Sequence, residues 1–150
     1  AAVVVGLGAV MAQEGDDANG TSFLDRVAEK LGIGTPELEQ AILSVTSLQM
    51  FTAEERAALA RLEGAVRFPI YGGDCYAYGL LAMGSIDLIV EADLDVHDFM
   101  ALVPVIEGAG GFVTDWQGAA LSPTSDGRIV ASGDRRVHES ALKLLALAND

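Results

Sequence analysis

The sequence predicts an α/β fold with a mixed sheet flanked by helices. From residue 41 onward, short apolar runs typical of strands alternate with helical segments that begin at capping residues and end at glycine. Residues 86–90 are largely apolar, which indicates a central strand buried on both faces. The chain of 150 residues is long enough for one domain with a substantial core.

The first 40 residues differ in composition and residue pattern from the rest. Residues 1–12 are small and apolar, and indicate either a buried strand or the tail of a secretory signal, the latter slightly favoured. A dinucleotide loop is rejected, because Met11 stands where the third glycine after Gly6 and Gly8 would be. A polar loop then leads to two predicted short helices within residues 22–40, which we expect to form a small helical pair.

The later elements follow in order. Predicted strands cover residues 41–46, 66–70, 86–90, 112–115 and 128–132, and predicted helices cover residues 52–63, 74–83, 98–108 and 135–148. Thr52 and Glu55 form a capping box at the start of the first of these helices. Pro104 lies inside the predicted helix 98–108 and should kink it, because it cannot donate to the Met100 carbonyl.

The charge, hydropathy and cysteine content argue against several classes of function. A net charge of −13 argues against a nucleic-acid partner, since phosphates would be repelled, but allows a phosphorylated small molecule held through a cation. No apolar run is long enough to cross a bilayer, so no membrane partner is expected. Cys75 is the single cysteine and is predicted to be a small buried filler just inside a helix.

Three carboxylates at the ends of elements are the candidates for chemistry. Asp98 begins a predicted helix, where it is either an ordinary N-cap or a rigidly held ligand for Mg²⁺. Glu91 ends a strand, and is either an exposed acid or an acceptor for ligand hydroxyl or amine groups. Asp74 offers the same choice between helix cap and substrate contact, and the amides of Gly72 and Gly73 before it could line a polar ligand.

The histidines and tyrosines have ordinary interpretations. His97 and His138 have no metal-type spacing to a second His or Cys. Tyr71, Tyr76 and Tyr78 are predicted to pack in the core and on helix faces.

Residues 41–147 resemble the C-terminal half of the inositol monophosphatase superfamily, in particular its histidinol-phosphate phosphatase branch. The segments that carry this resemblance, in order, are LSVTSLQMFTAEE, RFPIYGGDCYAYGLLAMGSIDLIVEA, VHDFMALVPVIEGAGGFVTDWQG and DGRIVASGDRRVHESALKLL. His97 stands where many members of the family have Trp.

The resemblance implies Mg²⁺-dependent hydrolysis of a phosphate monoester such as histidinol phosphate or an inositol phosphate. It assigns Asp98 as a metal ligand and Glu91 as a contact to a substrate hydroxyl. It places Gly73 and Asp74 in a substrate-binding turn. The cofactor is therefore expected to be magnesium.

The chain also departs from the family. The Asp-Pro-x-Asp-Gly-Thr loop of the family's N-terminal half is not evident, and residues 16–21 echo it only in part. We therefore interpret residues 41–150 as a C-terminal phosphatase-like domain, inactive alone, behind an unrelated segment 1–40. A homo-oligomer or a separate N-terminal half could complete it. The expected location is the cytoplasm. The alternative is a non-catalytic acidic interaction domain, exported if residues 1–12 are a signal.

Overall fold

The computed structural model describes residues 36–146, and these form a five-stranded mixed sheet between two layers of helices. The strands are β1 (Ile42–Val45), β2 (Phe68–Tyr71), β3 (Leu88–Glu91), β4 (Phe112–Thr114) and β5 (Ile129–Ser132). Their order across the sheet is β2-β1-β3-β5-β4. β1 runs parallel to both β2 and β3, whereas β5 is antiparallel to both β3 and β4. The predicted mixed sheet is confirmed, with β3 at its centre.

Six α-helices accompany the sheet in the described part of the chain. They are α1 (Pro36–Gln40), α2 (Ala53–Glu63), α3 (Asp74–Ala82), α4 (Val96–Met100), α5 (Val103–Gly108) and α6 (Arg135–Ala146), with a short 3₁₀ helix at Leu48–Met50. Helices α1, α2 and α6 contribute to one buried cluster, and α3, α4 and α5 to the other. The two clusters correspond to the two faces of the sheet.

Alternation along the strands builds both clusters. Leu88 and Val90 of β3 belong to the cluster of α2 and α6, while Ile89 between them belongs to the cluster of α3 and α4. All of β3 is buried, as expected of a strand covered on both faces. By the same alternation, the Glu91 side chain lies on the Ile89 face. The last residue of the central strand is therefore an acid placed in the α3–α4 layer.

Several element boundaries differ from the prediction by two residues. The capping box of Thr52 and Glu55 is confirmed at the start of α2. β3 begins at Leu88 instead of residue 86, and the Asp87 carboxylate before it accepts a hydrogen bond from the Ile42 amide at 2.8 Å. β2 lies at the edge of the sheet, where its Pro69 is tolerated.

The single helix predicted at residues 98–108 is wrong, because the chain forms two short helices there. α4 ends at Met100, and α5 begins at Val103 with Pro104 in its first turn, where a missing N–H is not needed. The break lies where Pro104 was predicted to disturb the helix. After α5, a Cβ at Gly111 would lie 2.8 Å from the Ser132 carbonyl oxygen, so glycine permits the close approach to β5.

Residues 1–35 and 147–150 lie outside the described residues, and with them the signal-like segment, the loop at residues 16–21 and the helix predicted from residue 22. Within residues 36–146, α1 packs against the sheet layer, since Leu38 is fully buried in the cluster of α2 and α6. Glu37 of α1 also pairs with Arg136 of α6 at 2.7 Å. None of the helices in this part of the chain is long and apolar enough to cross a membrane.

Candidate active site

The candidate site lies at the carboxyl ends of the three parallel strands. Strands β2, β1 and β3 are neighbours and run in the same direction, so their carboxyl ends share one edge of the sheet. Thr46 follows β1, the Gly72–Gly73–Asp74 turn follows β2, and Glu91 ends β3. The carboxyl edge of parallel strands is the usual place for ligands in α/β folds. The fold thus brings Asp74 and Glu91 to one edge.

Glu91 is a fully buried carboxylate held by Thr46. Its Oε1 accepts hydrogen bonds from the Thr46 hydroxyl at 2.6 Å and from the Thr46 amide at 3.1 Å, and its Oε2 lies 3.3 Å from the same amide. Burial raises the pKa of Glu91 from 4.5 to about 7, although the bonds from Thr46 oppose the rise and the charge of Asp74 adds to it. Near neutral pH this group can both accept and release a proton. The interpretation of Glu91 as an exposed strand-end acid is excluded.

The turn before α3 is fixed to the end of β1. The Gly72 amide donates to the Val45 and Thr46 carbonyls at 3.0 Å each. Gly72 and Gly73 have φ values of 89° and 105°, which favour glycine, and the turn continues into Asp74 at φ 43°. This backbone lies close to the same Thr46 that holds Glu91.

The prediction that Asp74 caps its helix is wrong. Gly73 is the N-cap of α3, and Asp74 is the first helical residue, in a left-handed conformation and without a capping bond from its side chain. The reason is the double glycine, which starts the helix one residue earlier than a side-chain cap would. The Asp74 carboxylate is exposed, so it is available to contact a ligand. Its charge raises the pKa of Glu91, which places it close to that residue.

Asp98 lies on α4, which follows the loop after β3. The prediction that Asp98 begins its helix is wrong: the N-cap is Asp95, and Asp98 is the third helical residue, with its Oδ2 accepting from the Asp95 amide at 3.1 Å. An acid at this position reaches back to the cap, so the pattern Asp95-x-x-Asp98 places the N-cap three residues before Asp98. Asp98 is exposed and keeps its other oxygen for a ligand.

Sequence reasoning missed two residues beside Glu91. Trp116 donates from its indole Nε1 to the Glu91 carbonyl at 3.1 Å, which fixes the backbone at the end of β3. Tyr78 of α3 is buried, and its pKa is raised mainly by burial and further by the negative charges of Glu91 and Asp98. Tyr78 was predicted to be a packing residue, and its position one helical turn after Asp74 was the available signal.

Two other predictions about side chains near the turn are wrong. Cys75 is exposed instead of buried, because α3 turns that position toward solvent. Tyr71 and Tyr76 are also exposed, at 52% and 68%, and the Tyr71 hydroxyl donates to Glu63 at 2.7 Å. Of the three tyrosines, Tyr78 alone packs in the core.

His138 has a structural environment away from the carboxyl edge. Its Nδ1 lies 3.1 Å from the Ser132 hydroxyl and its Nε2 lies 2.9 Å from the Thr114 hydroxyl, so it links α6 to β5 and β4. Burial, assisted by Arg135, lowers the pKa of His138 from 6.5 to about 4. His97 is exposed on α4.

The carboxylates of residues 36–146 do not by themselves form a complete metal centre. No group of three or more His, Cys, Asp or Glu side chains in this range is arranged to hold a metal ion. Magnesium is typically bound by one or two carboxylates together with waters and substrate phosphate. Asp98 can supply one such ligand, so the described residues fit only part of a magnesium site.

Comparison with known proteins identifies the class. The model of the inositol monophosphatase family matches residues 10–149. The chain therefore belongs to the inositol monophosphatase family, as its sequence segments predicted. The match begins at residue 10, inside the segment predicted to be unrelated to the family, and the separation of residues 1–40 from residues 41–150 stays a prediction.

Individual relatives are phosphatases by name. The bifunctional phosphatase IMPL2, chloroplastic, of Arabidopsis thaliana is 45% identical over an alignment of 117 residues that covers 73% of this chain and 34% of the relative. A histidinol-phosphatase of Chlorobaculum parvum is 32% identical over 60 residues, 40% of this chain and 23% of the relative. The chain thus spans about a third or less of the curated relatives that it matches.

Solved structures confirm the fold. An inositol monophosphatase from Zymomonas mobilis superimposes with a TM-score of 0.71 at 42% identity, covering 73% of this chain and 43% of that one. The Thermotoga maritima IMPase TM1415 superimposes with a TM-score of 0.62 at 20% identity, covering 73% of this chain and 42% of that one. The predicted layered fold of the family is therefore confirmed for the matched region.

Proposed function

We propose that the carboxyl edge formed by Asp74, Glu91 and Asp98 is the substrate-binding part of a magnesium-dependent phosphatase for a phosphorylated small molecule. The observation that carries the proposal is the convergence of Asp74 and Glu91 at one sheet edge, with Asp98 on the helix that follows β3. Family membership and the phosphatase relatives support the reaction class.

Charge decides which end of the substrate these residues would hold. Carboxylates repel phosphate, so Asp74 and Glu91 would instead bind hydroxyl or ammonium groups at the other end of the molecule. Glu91 accepts such donors when it is ionised, and the raised pKa of about 7 lets it share a proton with them. The backbone of Gly73 would line the same end of the substrate.

Histidinol phosphate is the substrate that we propose first, with an inositol phosphate second. Histidinol phosphate has an ammonium group, which complements two neighbouring carboxylates, whereas an inositol phosphate offers hydroxyl groups only. The name of the Chlorobaculum parvum relative supports this order.

Asp98 would supply one carboxylate to magnesium. When bound, magnesium would neutralise phosphate charge and polarise the bond to be cleaved. Residues 36–146 offer no group of three ligands, and we propose that further ligands come from other residues of this chain or its longer form, from a separate N-terminal half, or from a second copy. We propose that the 150-residue chain alone has little or no activity.

Phosphate release tests this proposal. The chain is assayed with histidinol phosphate and with inositol 1-phosphate at millimolar Mg²⁺, alone and mixed with the N-terminal half of a relative, with size-exclusion chromatography to detect assembly. Activity that appears only in the mixture and is lost in Asp98→Asn supports the proposal. Robust turnover by the chain alone that Asp98→Asn abolishes contradicts the proposed inactivity, and activity that Asp98→Asn leaves unchanged contradicts the role of Asp98.

The cytoplasmic location and the alternative of an exported interaction domain both depend on residues 1–12, which lie outside the described residues. Mass spectrometry of the natural protein separates them, since a mature N-terminus near Gln13 supports export. A longer chain that includes an Asp-Pro-x-Asp-Gly-Thr loop supports the enzyme.

A further inference from the structure

The hydroxyl of Tyr78 is buried without a hydrogen-bond partner. Tyr78 is 3% exposed, and its Oη is one of four buried side-chain polar atoms in residues 36–146 that lack a partner. Buried hydroxyls are nearly always paired, because an unpaired one loses its bonds to water without compensation. This atom therefore requires an explanation.

Tyr78 lies on the buried face of α3, near the acids of the candidate site. Tyr78 lies four residues after Asp74, so both are on the same face of α3. Its ring belongs to the buried cluster that includes Ile89 of β3 and Phe99 of α4. Glu91 follows Ile89 on the same face of the strand, and Asp98 precedes Phe99. The charges of Glu91 and Asp98 both raise the pKa of Tyr78, so both acids lie within electrostatic range of its hydroxyl.

Glu91 has an acceptor that complements this donor. Its Oε1 receives both bonds from Thr46 at 2.6 and 3.1 Å, whereas its Oε2 has only a 3.3 Å approach to the amide already used. Oε2 therefore keeps capacity for another hydrogen bond. The raised pKa of Tyr78 keeps its phenol protonated, so the group acts as a donor and not as a base.

We propose that Tyr78 is a positioning residue for Glu91, and that its phenol O–H donates to the ionised Glu91 carboxylate and fixes the oxygen presented to the substrate. Ionisation is the step that brings the two together, since a carboxylate attracts a neighbouring O–H more strongly than a neutral acid does. Thr46 and Tyr78 would then hold the carboxylate from two sides. The role in substrate positioning rests on the proposed phosphatase function; the hydrogen bond itself does not.

The hydrogen bond is tested in the 150-residue chain by following the Glu91 carboxyl carbon through a pH titration by NMR with ¹³C-labelled glutamate. Tyr78→Phe removes only the hydroxyl, and Tyr76→Phe removes an exposed hydroxyl from the same helix as a matched control. We expect Tyr78→Phe to raise the pKa of Glu91 by about 0.5 to 1 unit, a three- to tenfold change in proton affinity, and Tyr76→Phe to leave it unchanged. Identical titrations of wild type and Tyr78→Phe overturn the proposal.

Folding of the variant is not expected to interfere while Glu91 is neutral, because removing a buried hydroxyl that is then unpaired removes no native bond. If Tyr78→Phe nevertheless fails to fold, 3-fluorotyrosine incorporation replaces it. The fluorinated phenol is the stronger donor and should lower the pKa of Glu91. To confine the fluorine to position 78, Tyr71 and Tyr76 are both changed to Phe, and the Glu91 titration is compared with and without fluorotyrosine. An unchanged Glu91 pKa in that comparison overturns the proposal.

The substrate role has its own readout. In the form of the protein that hydrolyses histidinol phosphate, Tyr78→Phe should raise KM about fivefold while kcat changes less than twofold, since binding at the non-phosphate end is weakened. A shifted Glu91 titration with an unchanged KM overturns the substrate role alone. If no form hydrolyses or binds histidinol phosphate, the proposed function fails, and the NMR titration still decides whether Tyr78 holds Glu91.

Discussion

Thr46 donates hydrogen bonds to the buried carboxylate of Glu91 from both its hydroxyl and its backbone amide, with 2.6 Å between Oγ1 and Oε1. The register places these two residues next to each other at the ends of adjacent parallel strands, since Ser44 pairs with Ile89 two residues earlier. The carboxylate is therefore positioned by the sheet itself and not by a flexible loop.

Replacing Thr46 with valine should destabilise the protein more at pH 8 than at pH 5. The change removes the hydroxyl donor while keeping the shape, and a hydrogen bond to a charged group contributes about 1.5–3 kcal/mol. Glu91 is ionised at pH 8 and mostly neutral at pH 5, because its pKa is about 7. Urea unfolding at both pH values measures the effect. Thr46→Ser is the control that keeps the donor, and equal losses for both variants at pH 8 would contradict the prediction.

Glu91 should also make the free energy of unfolding depend on pH. The pKa of Glu91 is raised by folding from 4.5 to about 7, so the folded state holds a proton that the unfolded state has released. Its contribution is fully present below pH 4.5 and is lost as pH rises through 7, by up to about 3 kcal/mol at about 1.4 kcal/mol per pH unit. As pH rises from 4.5 to 8, the free energy of unfolding of wild type should fall relative to that of Glu91→Gln. A difference between the two proteins that stays constant from pH 4.5 to 8 would count against the shift.

The sequence predicted the strands and the sheet better than the helix starts. Residues 86–90 and the capping box of Thr52 and Glu55 are local patterns, and both describe the structure to within two residues. The cap assigned to Asp74 and the helix start assigned to Asp98 were wrong, because an acid near a helix start fits several positions of the first turn. Only the backbone decides between them, through the glycine N-cap before α3 and the cap at Asp95 before α4.

The contacts of the candidate site could not be predicted from local patterns. Asp74 and Glu91 were identified one by one. The hydrogen bond from Thr46 to Glu91, however, joins residues 45 positions apart and depends on strand register. The burial of Glu91, which raises its pKa, depends on α3 and α4 covering the sheet end. A strand-end glutamate is ambiguous until these layers are in place.

Gly127 should be intolerant of alanine because it supports the loop after Glu91. A Cβ there would lie 2.4 Å from the Leu94 carbonyl oxygen, and the residue has a φ of 81°. Its carbonyl accepts a hydrogen bond from the Leu94 amide at 3.2 Å. We expect Gly127→Ala to reduce the free energy of unfolding by at least about 2 kcal/mol, from the left-handed backbone and the clash together.

Gly133→Ala is the matched control for this change. A Cβ at Gly133 would meet nothing within 4 Å, so its effect should stay within about 0.5 kcal/mol. Thermal and urea unfolding of both variants provide the comparison. Similar losses at the two positions would show that the contact between Gly127 and Leu94 is not tight in solution.

His138 should oppose Glu91 in the pH dependence of stability. The pKa of His138 is lowered by folding from 6.5 to about 4, so the unfolded state takes up a proton that the buried imidazole refuses. Its contribution is fully present above pH 6.5 and is lost as pH falls through 4, by up to about 3 kcal/mol. Between pH 4.5 and 6.5 the slopes from His138 and Glu91 have opposite signs, so wild type should show a flattened profile.

His138→Gln should be less stable than wild type at pH 7, with a difference that shrinks toward pH 4, whereas exposed His97→Gln should track wild type throughout. A His138→Gln profile parallel to that of wild type would mean that folding does not lower the pKa of His138, contrary to its burial between Ser132 and Thr114 near the charge of Arg135.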